Sequence, residues 1–139
     1  MTTDLNKSIL LKFHEVFDRG DLNEAMRFIS PDARIYQPGT PGPLNREQFR
    51  QVGEAFLGGF SDNHEVFAHL VGEGEWVSSW GTWTATHTGT FNGIPATGRN
   101  VNVQVCLLDR IVNGQIVEHH ANFDVMGLMQ QLGVIPTRA

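Results

Sequence analysis

The chain has 139 residues, of which 40% are apolar and 18% are charged. Ten Lys and Arg against 15 Asp and Glu give a net charge of −5, so no nucleic-acid partner is expected. The single cysteine, Cys106, excludes an internal disulfide and a thiolate zinc site, and no apolar run approaches the roughly 20 residues that span a bilayer. We therefore expect one cytoplasmic domain over residues 1–139 that has no signal peptide and binds no membrane.

Helices dominate the first half of the predicted order of elements, and strands dominate the second half. Asp4, Asp21 and Asn45 are the expected helix caps, and Pro31 is expected to end the second helix. This segregation indicates an α+β fold in which helices cover one face of an antiparallel sheet. In chain order the predicted elements are helices over 4–18 and 21–29, a strand over 33–37, a helix over 46–56, strands over 64–71, 76–88, 101–112 and 115–124, and a closing helix over 125–132.

Most standard catalytic and metal-binding motifs are absent. Cys106 lies mid-strand among apolar residues, which favours a buried and inert thiol. His119 and His120 are adjacent on a strand, so they point to opposite faces and cannot chelate one ion together. A metal would need His120 with partners such as Asp124 or His87, and we expect no metal ion.

The segment EHHANFD offers a more specific arrangement. On a regular strand Glu118, His120, Asn122 and Asp124 share one face. One interpretation is that Asp124 only caps the closing helix. The other is that it lies in an apolar pocket, where desolvation raises its pKa and makes it a proton acceptor near neutral pH.

The residues opposite Asp124 depend on the hairpin at Asn113-Gly114. A two-residue turn pairs Val112 with Gln115 and places Asp124 opposite Val103. A three-residue loop pairs Ile111 with Gln115 instead and places Asp124 opposite Asn102, near Gln104. The sequence allows both registers.

Two long segments carry a family resemblance. They are GTFNGIPATGR (89–99) and IVNGQIVEHHANFDVMGLMQQLG (111–133), and FSDNHEV (60–66) precedes them. Together they closely resemble the SnoaL-like polyketide cyclase, or ester cyclase, family. The resemblance implies a nuclear transport factor 2-like cone, in which a bent antiparallel sheet and helices enclose a pocket.

Family members of known function close a ring by intramolecular aldol condensation without a cofactor, and their acid/base is an Asp in the last strand. The resemblance assigns that role to Asp124, and His120 beside it is the expected second catalytic group. It also favours the hairpin that turns Gln104, Leu108 and Arg110 toward the pocket. The residues expected to bind substrate are Tyr36, Trp80, His87, Gln104, Arg110 and Asn122.

The leading hypothesis is therefore a cofactor-independent cyclase-like enzyme that acts on a small hydrophobic carbonyl compound. The alternatives are a non-catalytic domain that binds a hydrophobic small molecule or dimerises, and a hydrolase or isomerase on the same fold. A homodimer is expected because the row Val101, Val103, Val105 and Leu107 could form an exposed apolar strip on the convex face of the sheet.

Overall fold

The computed structural model describes residues 2–137, which form four helices and one five-stranded sheet. Helices precede strands as the sequence predicts, with one strand between the second and third helix. The elements are α1 (Thr2–Asp18), α2 (Leu22–Met26), β1 (Ile29–Tyr36), α3 (Arg46–Gly59), β2 (Phe60–Glu73), β3 (Trp76–His87), β4 (Asn100–Val112), β5 (Gln115–Phe123) and α4 (Val125–Gln131).

Two of the three predicted helix caps are confirmed. The Asp21 side chain accepts a hydrogen bond from the backbone N–H of Glu24, and Asn45 forms a reciprocal capping box with Gln48. The prediction for Asp4 is wrong, because α1 begins at Thr2 and Asp4 lies in its first turn, where its charge favours the helix dipole. Pro31 does not end α2, because it lies in the edge strand β1, where a missing N–H is tolerated.

The sheet order is β1-β5-β4-β3-β2, and it corrects one expectation. Neighbouring strands from β2 to β5 are antiparallel, but β1 pairs with β5 in parallel, so the sheet is mixed. Two register shifts in the long β2–β3 pair mark bulges, which increase local twist and help the sheet curve around the helices.

The hairpin β4–β5 turns at Asn113-Gly114, with Val112 paired to Gln115. Both turn residues have positive φ, 50° and 78°, as a two-residue turn of this kind requires. A bulge follows, because Ile111 pairs with Ile116 whereas Arg110 pairs with Glu118. The extra residue places Asp124 beside Gln104, and the backbone N–H of Asp124 donates to the Gln104 carbonyl at 3.1 Å. Neither predicted register anticipates this bulge.

The inner face of the sheet, which packs against the helices, carries the apolar row of β4. Val101, Val103 and Leu107 are nearly fully buried, so this row is not the exposed strip that motivated the predicted homodimer. The opposite, outer face carries the alternate residues of the same strand, such as Gln104 and Arg110. Alternation was read correctly, but the apolar row marks the face that must be removed from water.

Two apolar clusters form the core. The first joins α1, α2 and β1 to the hairpin end of the sheet, around Phe13, Ile35 and Ile116. The second lies at the other end, around Phe60, Trp83 and Leu128. The principal cavity of the described residues lies between the two clusters.

Candidate active site

The inner cavity lies between α1, α3 and the inner face of the sheet. Its empty space amounts to about 790 Å³, with the part open to solvent included. Aromatic rings form much of the wall, and six polar residues interrupt it. The lining residues are Phe13, His14, Phe17, Asp18, Gln37, Phe49, Val52, Phe56, Leu57, Asn63, Glu65, Trp83, Val105, Leu107, His119, Ala121 and Phe123.

The pair formed by His119 and Asp109 gives the inner cavity its clearest chemical group. The two residues are direct cross-strand partners on β5 and β4, and both are almost fully buried. His119 Nδ1 lies 2.5 Å from Asp109 Oδ1. An ionised carboxylate can only accept, so this contact then requires a proton on Nδ1, and in the neutral imidazole Nε2 is the acceptor. Within residues 2–137, Nε2 makes no hydrogen bond, and the ring that bears it lines the cavity.

The local sequence explains why this histidine points inward. The odd-numbered residues of β4 form the apolar row, and Asp109 continues that row. Beyond the bulge, His119 lies opposite Asp109 and shares its face. The ring of Phe49 lies 5.3 Å from the imidazole, so α3 also restricts its orientation.

A second polar cluster lies on another wall of the cavity and joins α1 to β2. His14 Nδ1 is 3.3 Å from Glu65 Oε1, and the backbone N–H of Glu65 donates to Asp18 Oδ2 at 2.8 Å. Nearby, the indole N–H of Trp83 donates to Asn63 Oδ1 at 2.9 Å. The cavity is therefore apolar in most of its area but carries acid/base groups on two walls.

Mutual charges shift the pKa values of this second cluster. Burial and the neighbouring charge of Glu65 raise the pKa of Asp18 from an ordinary 3.8 to about 7. Burial also acts to raise the pKa of Glu65, but the charge and hydrogen bond of His14 outweigh it and hold that pKa below its usual value. Asp18 is thus the carboxyl group that keeps a proton near neutral pH.

The pKa of His14 connects the two clusters. Burial acts to lower it, but Glu65 and, more weakly, Asp109 and Asp18 outweigh burial and raise it above 6.5. His14 Nε2 and Asp109 Oδ2 are both buried and have no hydrogen-bond partner among the described residues. Asp109 thus acts on His119 through a hydrogen bond and on His14 through its charge, and in this way it links the two clusters.

Comparison with known proteins places this chain in a family. The profile of the SnoaL-like polyketide cyclases matches residues 7–132. The chain belongs to the SnoaL-like polyketide cyclase family. Aklanonic acid methyl ester cyclase DauD of Streptomyces sp. (strain C5) is 31% identical in an alignment 127 positions long that covers 86% of this chain and 76% of DauD. The cyclase DnrD of Streptomyces peucetius is 28% identical in an alignment 139 positions long that covers 96% of this chain and 92% of DnrD.

Solved structures of other proteins share the fold. IdmH from Streptomyces antibioticus, described as a candidate polyketide cyclase, superposes with a TM-score of 0.82 at 32% identity, over 93% of this chain and 99% of IdmH. AclR from Streptomyces galilaeus, described as a candidate hydroxylase, superposes with a TM-score of 0.90 at 26% identity, over 99% of this chain and 86% of AclR.

The outer face of this SnoaL-like sheet holds most of the site residues expected from the sequence. Gln104, Leu108 and Arg110 are exposed there, so the prediction that they face the pocket is wrong. Trp80 is 48% exposed, Asn122 is exposed, and Cys106 between them is only half-buried rather than buried. These side chains face outward for one physical reason: the alternate, apolar residues of β4 take the inner face.

His120 also lies on the outer face. Its ring stacks on Tyr36 with centroids 4.6 Å apart, and its Nε2 lies 3.0 Å from Glu118 Oε2. This hydrogen bond, followed by the charges of His120, Arg34 and Arg110, lowers the pKa of Glu118. Neither His120 nor Tyr36 lines the inner cavity.

His87 is fully buried, and its surroundings suggest a structural role. Its Nδ1 accepts a hydrogen bond from the backbone N–H of Thr97 at 3.2 Å and lies 2.9 Å from the Thr97 hydroxyl. These bonds attach the 88–98 loop to the end of β3. His87 does not line the inner cavity, so the structure does not place it where the sequence predicted substrate contact.

Asp124 is exposed and caps α4. Its Oδ1 accepts from the backbone N–H of Gly127 at 2.8 Å, and a Cβ at Gly127 would collide with the same carboxylate. Asp124 does not line the inner cavity, although its neighbour Phe123 does. The catalytic roles predicted for Asp124 and His120 stay predictions.

The acid/base residues that line the inner cavity, and Asp109 behind His119, are not among the site residues predicted from the sequence. Asp109 carried a usable signal, since an acidic residue that continues an apolar row must be buried and paired. His14, Asp18 and Glu65 carried none, because their partnership joins residues 47 and 51 positions apart. Within residues 2–137, no three His, Cys, Asp or Glu side chains are grouped as metal ligands would be, and no helix is long and apolar enough to cross a membrane.

Proposed function

We propose that this chain is an acid–base enzyme that closes a ring in a small ester of the polyketide type, with His119 as the base. One observation carries the proposal: the His119 imidazole lines a mostly apolar cavity while its Nδ1 is bound to the buried carboxylate of Asp109. A carboxylate in this position fixes the tautomer and stabilises the imidazolium that forms when Nε2 takes a proton.

The reaction is an intramolecular aldol addition. His119 Nε2 removes a proton from a carbon that lies between two carbonyl groups, and the electron pair of that C–H bond passes into an enolate. The enolate carbon bonds to a ketone carbon of the same molecule, whose oxygen then takes a proton and becomes a hydroxyl group. All atoms of the substrate are kept, so this step is an isomerisation that consumes no cofactor, oxidant or water.

Asp18 is the proposed proton donor to the new hydroxyl oxygen. It lines the same cavity as His119, and its pKa of about 7 means that it holds a proton at neutral pH more often than an ordinary carboxyl group. Phe13, Phe49 and Trp83 supply aromatic walls, which favour a flat, largely apolar substrate.

Aklanonic acid methyl ester is the first substrate to test, because it appears in the names of the relatives DauD and DnrD. We expect turnover by the native chain. In His119→Asn, whose amide can still donate to Asp109, we expect kcat to fall by a factor of about 10² or more. His69→Asn is the matched control, because His69 is exposed and does not line the inner cavity. Full turnover by His119→Asn would overturn the proposal. Binding of the ester by the native chain without turnover would favour the non-catalytic alternative.

We also propose that the chain forms a homodimer through the outer face of its sheet. Trp80 and Leu108 are 48% and 39% exposed and lie diagonally opposite each other on β3 and β4. Exposed large apolar groups side by side on a sheet favour association. Size-exclusion chromatography with light scattering checks this at micromolar concentration, where Trp80→Lys should shift the dimer to monomer. A native monomer would contradict it.

A further inference from the structure

A second cavity adjoins the inner one and is here named the outer cavity, a name that does not refer to the outer face of the sheet. Its empty space is about 740 Å³, with the open part included, and it lies between α3, α4 and the segment that follows β1. Four residues line both cavities: Gln37, Val52, Phe56 and Phe123. The two spaces are therefore neighbours that share one wall rather than independent sites.

Two phenyl rings form much of the shared wall. Phe56 and Phe123 meet edge to face, with their centroids 5.9 Å apart. Phe56 also contacts Phe91, which is buried and lines only the outer cavity, at 4.9 Å. The rings of Phe56 and Phe123 thus stand between the two cavities, and a substituent that enters the outer cavity from the inner one must pass them.

The chemistry of the outer cavity differs from that of the inner one. Its lining includes no charged side chain, and Gln37 and Asn92 are its only side chains with hydrogen-bonding groups. Beyond the shared wall, Ala55, Val125, Leu128 and Met129 supply apolar surface. Such a site gains affinity from buried apolar area and offers no charged side chain to pair with an ionised group.

We infer that the outer cavity binds an uncharged alkyl or aryl substituent of the same molecule whose carbonyl groups react in the inner cavity. This inference rests on the proposed function and adds a specificity subsite to it. The substrate is then a two-part molecule, with a reacting head beside His119 and an apolar substituent that passes Phe56 and Phe123. The length of that substituent determines affinity, whereas the acid/base groups determine turnover.

The test measures binding only, so it does not depend on catalysis. Alkyl esters of 4-hydroxybenzoic acid, from methyl to heptyl, are titrated into the native chain by isothermal calorimetry. We expect the dissociation constant to fall about three- to fourfold for each added methylene group until the outer cavity is filled. The same series is titrated into Ala55→Phe; Ala55 is exposed but lines the outer cavity and not the inner one, so we expect the added ring to occupy outer-cavity space.

Gln51→Phe is the matched control, because Gln51 is exposed on the same helix and lines neither cavity. The inference predicts that chain-length dependence is kept in Gln51→Phe and lost in Ala55→Phe. Equal dependence in both variants, no gain with chain length in the native chain, or no binding by any ester would overturn it. His119→Asn should keep the native dependence, so failure of the subsite and failure of the proposed chemistry give different results.

Discussion

Asp109 and His119 face each other across the two strands of the β4–β5 hairpin, with Asp109 Oδ1 2.5 Å from His119 Nδ1. The Asp109 side chain is completely buried, and its other oxygen has no hydrogen-bond partner among the described residues. A charge held in this way is costly unless the groups around it compensate it. The imidazole of His119 provides that compensation and is in turn held in one orientation.

Asp109→Asn should reduce kcat for aklanonic acid methyl ester about 10²- to 10⁴-fold, because a neutral amide cannot stabilise the imidazolium of His119. The variant is nearly isosteric, so circular dichroism and the melting temperature serve as controls for folding. Unchanged kcat in a folded variant would show that the pair is structural.

The elements were largely predictable from the sequence, whereas the site was not. Apolar periodicity and caps such as Asn45 identify helices and strands, because these signals are local. The family resemblance, rather than strand alternation alone, also favours a register that groups Gln104, Arg110 and His120 on one face, and the structure has them on one face. The error concerned which face is inside, and the buried row that includes Val103 decides that question.

The remaining part of the site depends on distant pairings. Glu65 meets His14 and Asp18 only because β2 packs against α1, and no local pattern announces that contact. No sequence pattern predicts the bulge beyond Ile116 either, although the bulge changes which residues of β5 share the face of Ile116.

The pH dependence of turnover should report Asp18. If it donates the proton, kcat falls about tenfold per pH unit above its pKa of about 7, because the acid form is lost. Asp18→Asn should lower kcat and abolish this alkaline decline, while its amide oxygen can still accept from the Glu65 backbone. A decline that is unchanged in Asp18→Asn would assign it to another group.

Stability should also fall as the pH rises from about 5 to about 8. The pKa of Asp18 is raised from 3.8 to about 7, so between these values the folded state binds more protons than the unfolded state. Deprotonation of Asp18 in the folded state therefore lowers the free energy of unfolding, and the full loss is reached only above about pH 7. His14 acts in the same direction, since its raised pKa contributes stability below 6.5 that is lost as pH rises through the folded value. Urea unfolding at both pH values measures the difference.

The matched variant for this prediction is again Asp18→Asn. It should lose less stability between the two pH values than the native chain, by on the order of 1 kcal/mol, a figure reduced because the carboxyl group is only partly buried. An identical loss in both proteins would contradict the assignment to Asp18.

Asp124 permits a direct comparison of its two interpretations. Asp124→Asn keeps a good cap for α4 and should change the free energy of unfolding by less than about 0.5 kcal/mol, whereas Asp124→Ala should cost about 1 kcal/mol. If the exposed carboxylate only caps the helix, kcat in Asp124→Asn equals the native value. A kcat reduced about 10²-fold at native stability would support the catalytic prediction made from the sequence.

Gly89 should tolerate no side chain. A Cβ there would collide with the backbone carbonyl of Gly58, and the backbone N–H of Gly89 donates to the Gly59 carbonyl at 3.0 Å. Gly89→Ala should therefore destabilise the fold by about 2 kcal/mol or more. Gly58→Ala is the control, since its Cβ meets nothing within 4 Å and should stabilise α3 by up to about 1 kcal/mol. Thermal unfolding measures both.

The parallel pairing of β1 with β5 has a consequence for the order of folding. Tyr36 and His120 are partners although 84 positions separate them, whereas Asp109 and His119 are joined by a tight hairpin. Short loops close at a lower entropic cost than long ones, so we expect the hairpin to form early and the β1 edge to dock late. The His119–Asp109 pair of the inner cavity is then encoded in a local segment, whereas Asp18 and much of the enclosing wall come from the distant N-terminal half. Substitutions in that half can reshape what the cavity holds while the proton-transfer pair forms as before.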